Sequence, residues 1–157
     1  RLQSFEDQLS QKSSDIDDNR KALALTQEVQ SLWLRAGQDT SPSNRISSYD
    51  DILKIKPDDC EALTYKADAV LEINEPQWAA NLCQQALELD PDNGHAFYQL
   101  ACAYTALQQY EEALSYLSNA IAKSDSYRDE ATKDDALKAL RTHPSFEEMI
   151  KNTLEDL

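Results

Sequence analysis

Apolar and polar positions along this chain follow a helical spacing, and the spacing recurs. Leu63, Ala67 and Val70 fall at i, i+4 and i+7, as do Phe97, Ala101 and Tyr104, which puts each trio on one helix face. Ala79, Cys83 and Ala86 form a second stripe behind the first trio, and Ala113, Leu117 and Ala120 form one behind the second. Short breaks separate the stripes: Asn74-Glu75-Pro76 in one unit and Gln108-Gln109 in the other. Pro76 suits the first turn of a new helix, where its missing N–H would have had no partner. Asp58-Asp59 and Asp92-Asn93 follow Pro57 and Pro91; they can cap the next helix and favour its positive end. Each unit is predicted to be a helix, a tight turn, an antiparallel helix and a stop.

The two units are one pattern displaced by 34 residues (57 to 91), with small matching small and apolar matching apolar. A fixed period in this range marks a stacked repeat, because one unit cannot bury its own apolar face and needs a neighbour. Stacked repeats build surfaces rather than pockets, so the chain reads as a binding scaffold before it reads as an enzyme.

Leu63-x2-Lys66-Ala67-x2-Val70…Ala79-x3-Cys83…Pro91 resembles the tetratricopeptide repeat, whose signature is W-x2-L-G-x2-Y…A-x3-F…P. Phe97-x2-Leu100-Ala101-x2-Tyr104…Ala113-x3-Leu117 is similar to it as well, with Asp125 where the closing proline would stand. The run from Tyr110 through Glu111, Glu112 and Ala113 to Leu114 resembles the family's usual start of a second helix. Lys66 departs from the pattern by replacing an apolar residue, and Cys83 is small for its slot. The resemblance implies an all-α fold, a right-handed superhelical stack of antiparallel helix hairpins.

A degenerate repeat is expected upstream, over residues 20–57, ahead of repeats at 58–91 and 92–125. Two registers compete. Stepping back one period pairs Val29 with Leu63, Tyr49 with Cys83 and Ile52 with Ala86, but drops Trp33 on the small position of Ala67 and Arg45 on that of Ala79. The preferred alternative takes Trp33 as the opening aromatic and Gly37 as the small residue, which requires a deletion of about one helical turn (3.6 residues) before Ile46. Its natural place is the turn-forming stretch Asp39–Asn44. Residues 1–19 read as an extension, partly helical or disordered. Ser13-Ser14-Asp15 and Asp17-Asp18-Asn19 are taken as a break before a long helix starting near Arg20. Leu2, Phe5, Leu9, Ile16 and Leu23 hint at a heptad that Lys12, Asn19 and Thr26 interrupt. The sequence starts in mid-pattern without Met and reads as a piece of something longer.

Residues 126–157 resemble the closing segment found after the last repeat in many bacterial proteins of this family, through Arg128, Ala131, Asp134, Leu137, Leu140-Arg141, Pro144 and Phe146. Physically this is a capping hairpin. Ala131, Leu137 and Leu140 face the stack, and a last helix carries Phe146, Met149, Ile150 and Leu154. Glu147, Glu148, Lys151, Asn152 and Glu155 supply the polar outer face that a terminal repeat needs. The competing use of Phe146, Met149 and Leu157 is a dimer surface; a monomer is expected over a homodimer.

With 157 residues, two glycines and five prolines, the composition fits one helical domain. No long apolar run or signal peptide is visible. The three cysteines lack CxxC spacing and read as reduced thiols in a cytoplasmic protein. A net charge of -14 makes nucleic acid and anionic membranes poor partners and a basic peptide or protein face a good one. The same acidity would also serve mere solubility. No HExxH, GxSxG or phosphate loop is present. His95 and Cys102 are two turns apart on one helix face, too far for a nucleophile pair, and neighbouring Asp pairs such as Asp50-Asp51 diverge around the helix. Neither catalysis, a metal nor a cofactor is expected.

In the family the chain resembles, the first helix of each unit lines the concave groove. Carried onto this sequence, that implies Glu61, Thr64, Tyr65, Asp68 and Leu71 in one unit and His95, Tyr98, Gln99, Cys102 and Thr105 in the next. Tyr65 and Tyr98 are the expected anchors, with Asp68 and Glu61 meeting a basic residue; the alternative is that each tyrosine only packs on the neighbouring repeat. A subclass that grips chaperone C-terminal carboxylates does so through groove Lys, Arg and Asn. Here Ser or Thr, Tyr, Asp, Gln and His stand instead, so that activity is not expected. Two functions follow: a module holding a peptide or protein segment in an acidic, tyrosine-bearing groove, or a structural or regulatory segment of a larger protein that packs on a same-chain domain or self-associates.

Overall fold

The computed structural model describes residues 2–155. The helices run α1 Leu2–Gln38, α2 Pro42–Ile55, α3 Cys60–Glu72, α4 Pro76–Leu89, α5 Gly94–Ala106, α6 Tyr110–Lys123, α7 Ser126–Lys133, α8 Lys138–Arg141 and α9 Pro144–Glu155, with one 3-10 turn at Asp135–Leu137. Among the described residues every regular element is helical. From α1 to α6 each helix packs on the next, α3 also meets α5 across the repeats, and α5 meets the 3-10 turn.

The local chemistry sets these ends. Asp59 and Asn93 accept from the backbone N–H of Ala62 and Ala96 at 3.1 Å, as N-caps should. Ser41 does the same for Asn44, ahead of Pro42 in the first turn. The tight turns inside both hairpins rest on left-handed residues, Asn74 and Gln108, each at φ 62. There the chain reverses as Glu75 N–H reaches Val70 O and Gln109 N–H reaches Tyr104 O. Gly94 opens α5 where a Cβ would lie 3.0 Å from Lys123 Cβ, a tight contact that glycine avoids where α5 approaches the end of α6.

Helix starts show that the period is gapless upstream. α2, α4 and α6 begin at Pro42, Pro76 and Tyr110, and each is 14 residues long. The expected deletion before Ile46 is absent, and the simple one-period step is the register the chain adopts. Gly37 faces open space, whereas Val29, Leu32 and Ala36 are buried. Trp33 fits at a small-residue position because its indole leans out onto Tyr49 and Tyr65, with ring centroids 5.6 Å away in each case. Lys66 is explained too. Its ammonium reaches Asp50 at 2.6 Å and sits 5.1 Å over the Trp78 ring, so the stem packs while the charge is paired.

The expected break at 13–19 does not occur. α1 is one helix of 37 residues, and its stretch from Leu2 to Glu28 is exposed throughout. No Pro or Gly precedes Gly37, and Ser, Asp and Asn each disfavour a helix by only a few tenths of a kcal/mol. Gln11 even donates to Asp15 one turn on, at 3.0 Å. The cap closes the other end. Leu137 and Leu140 are fully buried against α5 and α6, joined by Phe146. Two arginines latch it: Arg128 to Ile150 O at 2.6 Å and to Asp125, and Arg141 to Asp134 O at 2.6 Å. Side-chain roles expected for Asn152, Leu154, Glu155 and Leu157 lie outside the described residues.

Candidate functional site

α3 and α5 lie side by side, and their outward faces, closed by the start of α2 at one end and by α7 and the 3-10 turn at the other, enclose a cavity of about 610 Å³. Seven of the ten sequence-predicted residues line it: Tyr65, Asp68, Leu71, His95, Tyr98, Gln99 and Cys102. Glu61 and Thr64 lie instead on a neighbouring recess of about 300 Å³, shared with Tyr65 and His95. Thr105 lines neither cavity. Its hydroxyl is buried and donates to Ala101 O at 2.7 Å, because the last turn of α5 points that side chain back into the helix. Thr64 is buried likewise, donating to Glu61 O at 3.0 Å.

The two expected anchors differ. Tyr65 is 46% exposed and sits in an aromatic row with Trp33, Tyr49 and His95. Tyr98 is 4% exposed: its ring stacks on Tyr127 at 5.0 Å, and its hydroxyl donates to Asp134 Oδ2 at 2.7 Å. Tyr98 is therefore a wall of the cavity that joins α5 to the cap, while Tyr65 stays partly open to solvent within its aromatic row.

Six lining residues were beyond the repeat-by-repeat reading: Arg45, Tyr49, Glu72, Glu130, Asp134 and Ala136. Arg45 carried a signal, standing where the next repeat has Ala79. Its guanidinium reaches across the groove end to pair with Glu72. Glu130 and Asp134 come from the cap, which the first-helix rule does not reach.

Carboxylates dominate the electrostatics: Asp68, Glu72, Glu130 and Asp134, against Arg45 and whatever charge His95 carries. The hydrogen bond to Asp68 Oδ2, at 3.2 Å, holds the His95 pKa above its ordinary value; burial works against it, and the charges of Asp68 and Glu130 add to it. Burial pushes the Tyr98 phenol far up, with the Asp134 hydrogen bond adding to the shift. Cys83 rises to about 12 and Cys102 well above the usual thiol value, again through burial first. Both thiols stay protonated at neutral pH, so neither offers a thiolate to a substrate or a metal. Among the described residues no group of three or more His, Cys, Asp or Glu is placed to hold a metal ion.

Comparison with known proteins identifies the architecture. Residues 82–115 match the tetratricopeptide repeat family. The TPR2B domain of yeast Sti1, solved as a complex with an Hsp70 peptide, superposes with a TM-score of 0.61 at 19% identity, covering 83% of this chain and 99% of that one. The fold is a tetratricopeptide-repeat solenoid. The first TPR of Spaghetti (RPAP3), bound to the HSP90 peptide SRMEEVD, superposes with a TM-score of 0.56 at 20% identity over 87% of this chain and 94% of that one. In sequence, human sperm-associated antigen 1 is 30% identical over 115 residues, 73% of this chain. The chain spans 12% of that protein's length, and the same fraction of its mouse counterpart. Among the described residues no helix is long and apolar enough to cross a membrane.

Proposed function

We propose that this chain is a protein-interaction module that holds a peptide or protein segment in the acidic, tyrosine-bearing groove between α3, α5 and the cap. The observation that carries this reading is the cavity itself. It is open, bears an exposed aromatic ring at Tyr65, and is lined by four carboxylates whose one arginine is already paired. Tetratricopeptide neighbours of the same shape hold chaperone peptides, which supports the segment-binding half of the reading. The HSP90 peptide SRMEEVD is rich in acidic residues, and the lining here would repel it, so the partner of this groove is a basic segment. No group in the cavity is arranged as a nucleophile with a base, and the module acts by binding rather than by turnover. A cytoplasmic setting fits its reduced thiols, and the likeness of the cap to bacterial closing segments fits its placement after the last repeat.

The test compares partner capture by the wild-type chain and by a Tyr65→Ala, Asp68→Asn double variant of equal thermal stability. A basic partner kept by the first and lost by the second places binding in the groove. Equal capture by both would overturn it. A second reading, packing on another part of a larger protein or self-association, is favoured by one feature. Leu2, Phe5, Leu9, Ile16 and Leu23 on α1 are each more than half exposed. Concentration-dependent association lost in an Ile16→Glu variant would support that reading.

A further inference from the structure

The cap-side end of the groove carries a more specific chemistry than general acidity, and we propose that it is a receptor for one guanidinium group, the side chain of an arginine in the bound segment. This rests on the segment-binding reading above and adds the residue that anchors it.

Three carboxylates reach this end from three places: Asp68 from α3, Glu130 from α7 and Asp134 from the start of the 3-10 turn. Gln99, 4% exposed, lines the same cavity, and its Oε1 is buried with no hydrogen-bond partner. Buried polar atoms are almost always satisfied, and leaving one orphaned costs about 1–3 kcal/mol. A turn of the Gln99 side chain toward the cavity it lines would let this acceptor meet a donor from outside.

His95 shows the same incompleteness. Its Nε2 lies 3.2 Å from Asp68 Oδ2 and 3.1 Å from Gln99 Nε2. A ring nitrogen either donates or accepts, so it cannot serve a carboxylate and an amide N–H₂ together. A cationic donor that takes over Asp68 resolves the conflict. The imidazole then keeps its proton on Nδ1 and accepts from Gln99 Nε2, while Gln99 Oε1 accepts from the ligand.

No three acidic, His or Cys groups among the described residues converge tightly enough for a metal ion. A guanidinium is wide and planar, with five N–H donors spread around its edge, and can bridge acceptors that a point ion cannot. Its faces also stack on aromatic rings, and the exposed ring of Tyr65 stands at the entrance. An ammonium has three donors on one atom and holds its hydration more strongly. Arg45 does not fill the role itself, since Glu72 holds it.

The test uses the intact chain and two kinds of probe. N-acetylarginine methylamide is titrated into isotope-labelled protein beside the citrulline analogue, which keeps the shape and loses the charge, and beside the lysine analogue. The arginine probe should shift the Gln99 side-chain amide and the Tyr65 ring, and the citrulline probe should bind about tenfold more weakly. Glu130→Gln, an exposed site where folding is not at stake, should weaken the arginine probe several-fold. Equal binding of arginine and citrulline, or shifts that miss Gln99, would overturn the inference. In parallel, a random peptide library is selected on wild type, on Tyr65→Ala and on Glu130→Gln. Arginine-rich winners that need Glu130 support both conclusions. Winners that need Tyr65 but show no arginine preference keep the groove and remove the guanidinium site. An arginine probe that binds while no peptide is retained keeps the site and removes the segment-binding reading.

Discussion

Thr64 and Tyr65 of α3 stand one period before Tyr98 and Gln99 of α5, in equivalent places of successive repeats; the first position is buried in both, and the second parts them. On α3 the second position is open, with Tyr65 46% exposed; on α5 both are sealed, Tyr98 and Gln99 at 4% each. The backbone frames agree, with helices of 13 residues and matching Asx caps. What differs is the next layer. α3 is followed by another first helix, which leaves its outer face free, whereas α5 is followed by a short α7 and a 3-10 turn that fold across it. A repeat's groove face is therefore decided by its place in the stack as much as by its own residues. The cap acts as a wall of the cavity besides ending the core.

The strongest way to break that contrast is to loosen the cap. Leu140 of α8 is fully buried in one cluster with residues of α5 and α6, so Leu140→Ala should destabilise the fold by about 2–5 kcal/mol through lost burial and a residual cavity. Chemical denaturation measures the loss. Thiol labelling localises it: Cys102, beneath the cap, should become reactive well before Cys83, which packs between α3 and α4. Equal rates would mean that the cap and the repeats open as one unit.

Next in size is the hairpin contact shared by both repeats. Ala101 is fully buried at the crossing of α5 and α6, and Ala101→Leu should overpack it, costing about 1–3 kcal/mol. The equivalent Ala67→Leu should cost a similar amount, since both crossings lie below the level at which the repeats diverge.

The tyrosines sharpen the comparison directly. Tyr98→Phe removes a 2.7 Å hydrogen bond to Asp134, and a bond to a charged acceptor is worth about 1.5–3 kcal/mol when buried. Asp134 is only partly buried and still caps Ala136, so the lower end of that range is expected. Tyr65→Phe should change stability by under about 0.5 kcal/mol, as exposed substitutions do. Thermal melts of the two variants check the difference, and equal losses would show that the cap does not seal Tyr98.

How much of this was legible in sequence follows the same line. Spacing sufficed for the helices because Leu63-Ala67-Val70 and Phe97-Ala101-Tyr104 bury one face whatever lies beyond. It misplaced the upstream register because Trp33 and Gly37 imitate the family's W and G, while the residue that packs is Ala36; side-chain direction, invisible in a one-letter pattern, decided it. The break expected at Ser13-Ser14-Asp15 failed because weak helix formers without Gly or Pro do not stop a helix. In the groove, α3 and α5 were readable by period, but Glu130 and Asp134 arrive through the non-repeating cap and Arg45 across the groove end. Thr105 was lost to a local bond with its own helix, which no period reveals.

The smallest effect distinguishes the two helices by charge. His95 occupies on α5 the place that Glu61 holds on α3, and the groups facing it are Asp68 and Tyr65 from α3, Glu130 from α7 and Gln99 on its own helix. Because Asp68 raises the folded pKa above the unfolded value near 6.5, the protonated imidazole stabilises the fold. That contribution is fully present below pH about 6.5 and fades as pH rises through the folded value. Melting temperatures across pH 6 to 8 (roughly the histidine range) should fall more for wild type than for Asp68→Asn, which removes the partner. Affinity for an arginine probe should move the other way over the same interval, rising as His95 releases its proton and leaves Asp68 to the ligand. If both quantities moved together, His95 and the ligand would not be competing for the same carboxylate, and the groove would have to be acidic for a reason other than holding a cation.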